Sequence, residues 1–374
     1  MGTPQTYHEL EPNLPALAIP MPVHTRTTED LYVIGVTGTN GKTTVTHLIG
    51  EVLRAAGFKP FVLGTLNSGN RDLSTPLAGD IARIMQAHLE QGGTHLIMEV
   101  TSEGIDQDRV HNVDFDIKLL TNITQDHLDY HKTFKNYQDT KLGFMAEGLA
   151  HKIYPGDFCD VRVDFTTKLL GDFNHLNIQA AVSVLRYMET PEVHIRNTLS
   201  ACVGPIGRME IIDHGQPFMV VVDYAHTPDG LENVLRTARD IADRRGGRLL
   251  VMFGCGGERD RGKRPQMGKI ASGFSDLLVI TDDNPRHEDA RLIRDEIFSG
   301  VTPELKECVL MQNRRTAIKF MIRNAHKHDV LILAGKGHET LQINKSEEVH
   351  FDDREEAAIA IRGQMKSKSR RVKC

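Results

Sequence analysis

Gly38-Thr39-Asn40-Gly41-Lys42-Thr43-Thr44 has the residue types and spacing to do phosphate chemistry. The apolar run from Val33 to Val36 leads into it and a helical pattern follows. A strand would thus deliver a Gly-rich turn to a helix N-terminus, where freed backbone N–H groups cradle phosphate oxygens. Lys42 can reach the terminal phosphates and the Thr43 hydroxyl can hold Mg²⁺. The usual pattern carries glycine at position 36, where this chain has Val36, so the loop is a shortened variant built on Gly38 and Gly41. The expected ligand is a nucleoside triphosphate.

Other polar clusters also sit just after apolar runs, where open α/β sheets place their ligands. Glu99 near the end of Leu96–Val100 reads equally as a metal ligand or as a cap for the next turn. Asn122–His131 contains Asp126, His127, Asp129 and His131. No cysteine or third histidine stands at zinc-like spacing there, so a Mg²⁺ site shared with phosphate suits it better. In the second half, four loops follow strand-like runs: Val222–Pro228 with Asp223, Phe253–Arg264 with Arg259, Thr281–Arg286 with Asp283, Asn284, Pro285 and Arg286, and Ala334–Glu339 with Gly335 and Glu339. These loops are expected to converge on one cleft, although a solvated surface loop is the alternative for each alone. Arg259 and Arg286 suit a carboxylate, which guanidinium binds bidentately. Cys255, between glycines, reads as a small residue in a tight turn or as a reactive thiol.

The elements that position these residues alternate. A helix is expected from Thr43 to Ala56, stopping at Gly57. Strands are expected at Phe61–Thr65, Leu96–Val100 and Lys118–Leu120, with a helix over Asp80–Leu89. A second series has strands at Phe218–Val222, Leu249–Phe253, Leu277–Ile280 and Val330–Leu333. Alternation of this kind predicts an α/β fold with parallel-rich sheets covered by helices. Val203–Gly207 is a plausible hinge, dividing the chain into an extended proline-rich lead-in (1–32), a central P-loop ATP-binding domain (33–206) and a Rossmann-like C-terminal domain (207–374). A length of 374 residues accommodates two such cores. The net charge of −5 steers it toward neither nucleic acid nor membrane, and no apolar run approaches the ~20 residues of a membrane span. Five scattered cysteines and the lack of an apolar leader point to the cytoplasm. The basic tail Lys366–Cys374 reads as a solvated end or an interaction arm.

Taken together, these segments resemble the Mur ligases, the ATP-dependent amide ligases of peptidoglycan synthesis. The resemblance rests on Gly35–Thr44, Met98–Val100, Asp126–His131, Gly207–Glu210, Val222–Asp229, Gly254–Arg264, Asp283–Arg286, Gly335–Glu339 and Asp352–Arg354, and it covers residues 33 to about 360. It implies transfer of the ATP γ-phosphate to a substrate carboxylate and attack of an amine on the acyl phosphate. The implied metal environment is Thr43, Glu99 and His127 around Mg²⁺, and Lys141 matches a lysine that the family carbamylates as a carboxylate-like support. From its type alone Lys141 reads as a surface residue. Asn174, Asn177, Arg208 and Asp223 match positions around ATP. Ser74, Thr75, Thr101, Gln107 and Arg109 match contacts to a muramoyl dipeptide. Arg259, Asp283 to Arg286, Gly335 and Glu339 match the site for the incoming amino acid. The Asp-Asn-Pro-Arg form of that loop implies meso-diaminopimelate, and it argues against the architecturally similar folylpolyglutamate and cyanophycin synthetases.

Three stretches depart from the family pattern. About 34 residues precede the P-loop where the family carries a uridine-gripping domain of about a hundred, so a partner chain could supply that domain. Lys141 to Gly171 is shorter than usual, and Glu103 stands where the family has histidine. Two alternatives to the UDP-linked substrate follow: the same ligase chemistry on a free or differently carried peptide, and a non-catalytic nucleotide-binding remnant.

Overall fold

A computed structural model describes residues 31–68 and 73–372. The proline-rich lead-in up to residue 30 and the last two residues of the basic tail lie outside these; residues up to Val372 continue the helix Asp353–Val372.

The described chain divides into two compact units. The first holds residues up to Ile123, Lys135–Lys168 and Phe173–Cys202. Its sheet contains β1 (Tyr32–Thr37), β2 (Pro60–Leu63), β3 (His95–Val100), β4 (Ile117–Leu120) and β5 (His151–Ile153), ordered β2-β3-β1-β4-β5 and parallel throughout. β1, β3 and β4 are buried almost end to end, as their near-continuous apolar runs require of strands covered on both faces. Thr37 pairs with both Val100 and Leu120, so the chain leaves all three strands at one level of the sheet. β1 is the centre from which connections run both ways, which is where such sheets open a ligand crevice. The helix Lys42–Ala55 buries Val45, Leu48, Ile49, Val52 and Leu53, one stripe at helical spacing.

The second unit holds Thr124–Phe134, Leu169–Asp172 and Val203 onward. Its main sheet contains β6 (Glu210–Ile211), β7 (Met219–Asp223), β8 (Leu249–Phe253), β9 (Leu277–Thr281), β10 (Cys308–Met311) and β11 (Val330–Ala334). The order is β10-β9-β8-β11-β7-β6, parallel except for the short β6 at the edge. An exposed hairpin, β12 (Leu341–Asn344) and β13 (Glu347–His350), follows β11. The division falls at Cys202/Val203, just ahead of the Gly-Pro segment read as a hinge. Thr124–Phe134 departs from sequence order and packs within the second unit, where Thr124 Oγ1 lies 3.4 Å from Asp229 Oδ2.

Candidate active site

In the first unit, the turn after β1 depends on glycine at two places. Gly38 has φ 141° and a Cβ there would stand 2.0 Å from Thr121 Oγ1. Gly41 has φ 89° and a Cβ would meet Asn177 Oδ1 at 2.4 Å. The loop is pinned by Asn122, which accepts from Asn40 N at 3.0 Å and donates to Asn40 O at 3.0 Å, and by Thr121, whose hydroxyl donates to Asn40 O at 2.6 Å. Thr39 Oγ1 lies 2.8 Å from the Tyr137 hydroxyl. Lys42 Nζ folds over the loop and donates to Gly38 O at 2.8 Å and Thr39 O at 2.9 Å. Thr43 and Thr44 are buried in the first helical turn. Asn174 and Asn177, one helical turn apart, hydrogen-bond each other at 3.0 Å against Gly41.

Glu99 is buried at the end of β3 and accepts from Thr43 Oγ1 (3.1 Å), Thr65 N (2.9 Å) and Thr65 Oγ1 (3.1 Å). The carboxylate therefore caps Thr65, as the capping reading expects, and touches the P-loop threonine at once. The residues matched to the dipeptide join the same network. Ser74 Oγ lies 2.8 Å from Thr65 Oγ1, and the Thr75 hydroxyl donates to Glu99 O at 3.0 Å. Thr101 bonds Thr75 Oγ1 through its N–H and its hydroxyl, and Arg109 donates to Thr75 O at 2.9 Å and to Gln107 Oε1. Lys141 overturns its surface reading. It is 1% exposed, donates to Gly38 O at 3.0 Å and lies 3.4 Å from Thr37 Oγ1 and 5.0 Å from the Tyr137 ring centre. Tyr137, four residues earlier on the same helix face, is the site residue that reading by type passes over, and the i,i+4 spacing was the available signal.

In the second unit, His127 has φ 53° and its ring lies 3.3 Å from Asp126. Burial pushes the Asp126 carboxyl up, but His127, Lys263 and His226 outweigh it and hold it down at about 2. His226 is pushed down to about 4 by burial and then by Lys263, so its ring is neutral at pH 7. Asp223 accepts from Met209 N and Ala225 N, both at 2.7 Å; burial raises its pKa against the pull of Arg208. Arg208 lies 4.5 Å over the Tyr224 ring.

The four polar loops meet at the C-terminal edge of β7, β8, β9 and β11. Gly335 N donates to Asp223 O at 3.0 Å, and a Cβ at Gly335 (φ 108°) would stand 3.0 Å from Asp283 Oδ2. Arg286 Nη1 donates to Gly257 O at 2.9 Å and to Asn284 O at 3.5 Å. Arg259 is exposed and donates to Glu258 O. Asn284 Nδ2 donates to Glu339 Oε2 at 2.9 Å, and burial raises the Glu339 pKa against the opposing pull of Lys336. The hairpin straps this loop: Arg286 N donates to Ile343 O and Ile343 N donates to Asn284 Oδ1. Fully buried Arg264 holds Glu288, Glu296 and Gly256 O, a role that its place in a basic run did not announce. Cys255 is the small residue in a tight turn, buried with its thiol pushed up to about 12.

Sequence models of two domain families match the chain: the Mur ligase middle domain over residues 36–157 and the Mur ligase glutamate ligase domain over residues 207–337. The UDP-N-acetylmuramoyl-L-alanyl-D-glutamate–2,6-diaminopimelate ligase of Syntrophomonas wolfei is 36% identical over 91% of this chain and 80% of its own length. The chain belongs to the Mur ligase family. Mur ligases are ATP-dependent, ADP-forming amide ligases, and this chain is an enzyme of that class. A solved structure of a UDP-N-acetylmuramoyl-L-alanyl-D-glutamate–2,6-diaminopimelate ligase superposes with TM-score 0.56 at 29% identity, covering 90% of this chain and 79% of that one. The fold is shared more widely. A Yersinia pestis folylpolyglutamate/dihydrofolate synthase solved with AMPPNP and Mn superposes with TM-score 0.64 at 17% identity, covering 82% of this chain and 86% of that one. Among the described residues of this Mur ligase, no three His, Cys, Asp or Glu side chains cluster as a metal cage, and no helix is long and apolar enough to cross a membrane.

Proposed function

We propose that the chain joins an amine of meso-diaminopimelate to the D-glutamate carboxylate of UDP-N-acetylmuramoyl-L-alanyl-D-glutamate, at the expense of ATP and through an acyl phosphate. The observation that carries this reading is the pair of opposite charges bracketing Asn284. Arg286 reaches the Asn284 carbonyl and Glu339 accepts from its side-chain amide. An Arg and a Glu so arranged suit the distal carboxylate and ammonium of a zwitterionic side chain.

In the first unit, Lys42 and the backbone N–H groups of Gly38–Thr43 bind the phosphates, while Ser74, Thr75, Thr101, Gln107 and Arg109 hold the peptide near them. Thr43 and Glu99 offer oxygen donors only, which suits Mg²⁺ held by one carboxylate together with phosphate. The ion supplies charge neutralisation when two anions must meet for phosphoryl transfer. Lys141 is read as the carbamylated support. In the second unit, Arg208 and Asp223 serve the nucleotide and Arg259 assists Arg286. Dependence on ATP places the reaction in the cytoplasm.

The test is phosphate release with ATP, UDP-linked or free muramoyl dipeptide, and either diaminopimelate or lysine. Release requiring diaminopimelate and the UDP-linked peptide is expected. Turnover with lysine but not diaminopimelate would remove the role given to Arg286, and equal turnover with the free peptide would remove the uridine nucleotide from the substrate.

A further inference from the structure

Lys336 is completely buried in the turn between β11 and the hairpin, an unusual place for a lysine. Its Nζ donates to Asn284 Oδ1 at 2.9 Å and to Glu339 Oε2 at 2.9 Å. Asn284 in turn donates to Glu339 Oε2 and accepts from Ile343 N. One ammonium thus ties together the loop after β9, the turn after β11 and the hairpin. Glu339 is partly exposed, so it can be reached from solvent while Lys336 cannot.

We propose that Lys336 is the positioning residue of the amino-acid site, fixing the Glu339 carboxylate in its ionised form and in the orientation that receives the distal ammonium of the incoming amine. The proposal rests on the reading of Glu339 as that receiver.

The groups facing Glu339 set the direction of the effect. Asp283 beside it disfavours its negative charge, as burial does, while the Tyr224 phenol from the loop after β7, its own pKa raised by burial, stays uncharged. Lys336 is the nearest group that favours it, with the Asn284 amide assisting and Arg314 from the helix Arg314–Asn324 acting in the same sense. Removing the ammonium therefore raises a carboxyl pKa that is already raised. Glu339 would then be protonated over a wider range below neutrality and would lose its attraction for the ammonium there.

The experiment compares the wild-type enzyme with Lys336→Met, Lys336→Gln and Lys336→Arg, measuring KM for diaminopimelate from pH 6 to 9. Both neutral variants should raise this KM by at least about tenfold at pH 6.5, as expected for losing one charge-assisted contact, and by much less at pH 9. KM for ATP should stay within about twofold, because the ammonium touches only the acceptor loops. Lys336→Arg should recover the pH profile. In a Glu339→Gln background, Lys336→Met should add no pH-dependent loss, which a merely structural lysine would not predict. A KM increase of the same size at every pH, or none, overturns the proposal. Lys336→Gln retains hydrogen-bonding capacity without charge, so it decides the matter if Lys336→Met fails to fold. Absence of diaminopimelate turnover in the wild-type enzyme would instead overturn the reading of the site.

Discussion

Gly41 and Gly57 bracket the same helix, Lys42–Ala55, with nearly the same backbone: φ is 89° at Gly41 and 90° at Gly57. Their surroundings differ. A Cβ at Gly57 meets nothing within 4 Å, whereas one at Gly41 meets Asn177 Oδ1 at 2.4 Å. Alanine at either position bears the left-handed penalty of about 1–2 kcal/mol. At Gly41 it must also displace Asn177, whose buried 3.0 Å bond to Asn174 is then lost, for about 1–3 kcal/mol more. Gly57→Ala should therefore lower Tm by roughly 2–8 °C, and Gly41→Ala by roughly 2–12 °C beyond that, at about 2–4 °C per kcal/mol. Function separates the two further. Gly41→Ala pushes a methyl into the turn assigned to phosphate and should raise KM for ATP at least about tenfold, or about 1.4 kcal/mol, while Gly57→Ala leaves it unchanged. Calorimetry of the two variants and an ADP-release assay over ATP concentration measure both effects. Equal Tm losses with equal KM for ATP would refute the claim that close approach to Asn177 is what requires glycine at position 41.

Asp126 is held at about 2, below its ordinary 3.8, so its stabilisation is present above pH 4 and is lost as pH falls toward 2. Asp126→Asn should cost about 2 kcal/mol in urea unfolding at pH 6 and about half that at pH 3, and an equal cost at both would sink the assignment. Arg264→Met should destabilise by about 3 kcal/mol, because it leaves Glu288 and Glu296 without their buried partner. The same change frees Gly256 O and loosens the loop whose Gly257 carbonyl holds Arg286, so KM for diaminopimelate should rise while KM for ATP stays put. If Lys141 carries a carbamate, turnover falls in CO₂-depleted buffer and returns with bicarbonate; activity indifferent to bicarbonate removes that role.

Much of the architecture was legible because burial on both faces writes itself as uninterrupted apolar runs. Leu249–Phe253 has the ends expected of it, and the P-loop helix begins and ends one residue before the expected Thr43 and Ala56. What escaped was the half-wet periphery. Cys308–Met311 is an edge strand with intermediate burial, β6 has two residues, and the β12–β13 hairpin is largely exposed, so none carries a core pattern. The polar loops were legible for the converse reason: polar residues immediately after buried strands stand at the sheet edge where ligands bind. Their supports were not. Lys141, Lys336 and Arg264 are all but buried, and residue type alone points each of them to solvent.

Three of the buried lysines show how partner and place separate structural from chemical roles. Lys118, in β4, donates to Phe144 O and Glu147 O and lies 4.2 Å from the Phe144 ring centre, away from the P-loop turn. That is a clamp between β4 and the helix Phe134–Ala146. Lys336 holds a carboxylate and an amide between two loops, so its charge acts on the Glu339 carboxylate proposed to receive the amine. Lys141 shares a single acceptor, Gly38 O, with Lys42. Two ammonium groups on one carbonyl oxygen lie within about 6 Å of each other, a repulsion of about 3 kcal/mol at an effective dielectric of 20, less where water screens Lys42. Were Lys141 to lose a proton and its neutral amine to add CO₂ with release of a second proton, the cation would become a carbamate anion, and the repulsion beside the P-loop would become attraction. The geometry thus gives Lys141 a like-charged neighbour at the P-loop turn, which a carbamate on Lys141 would convert into an attractive one.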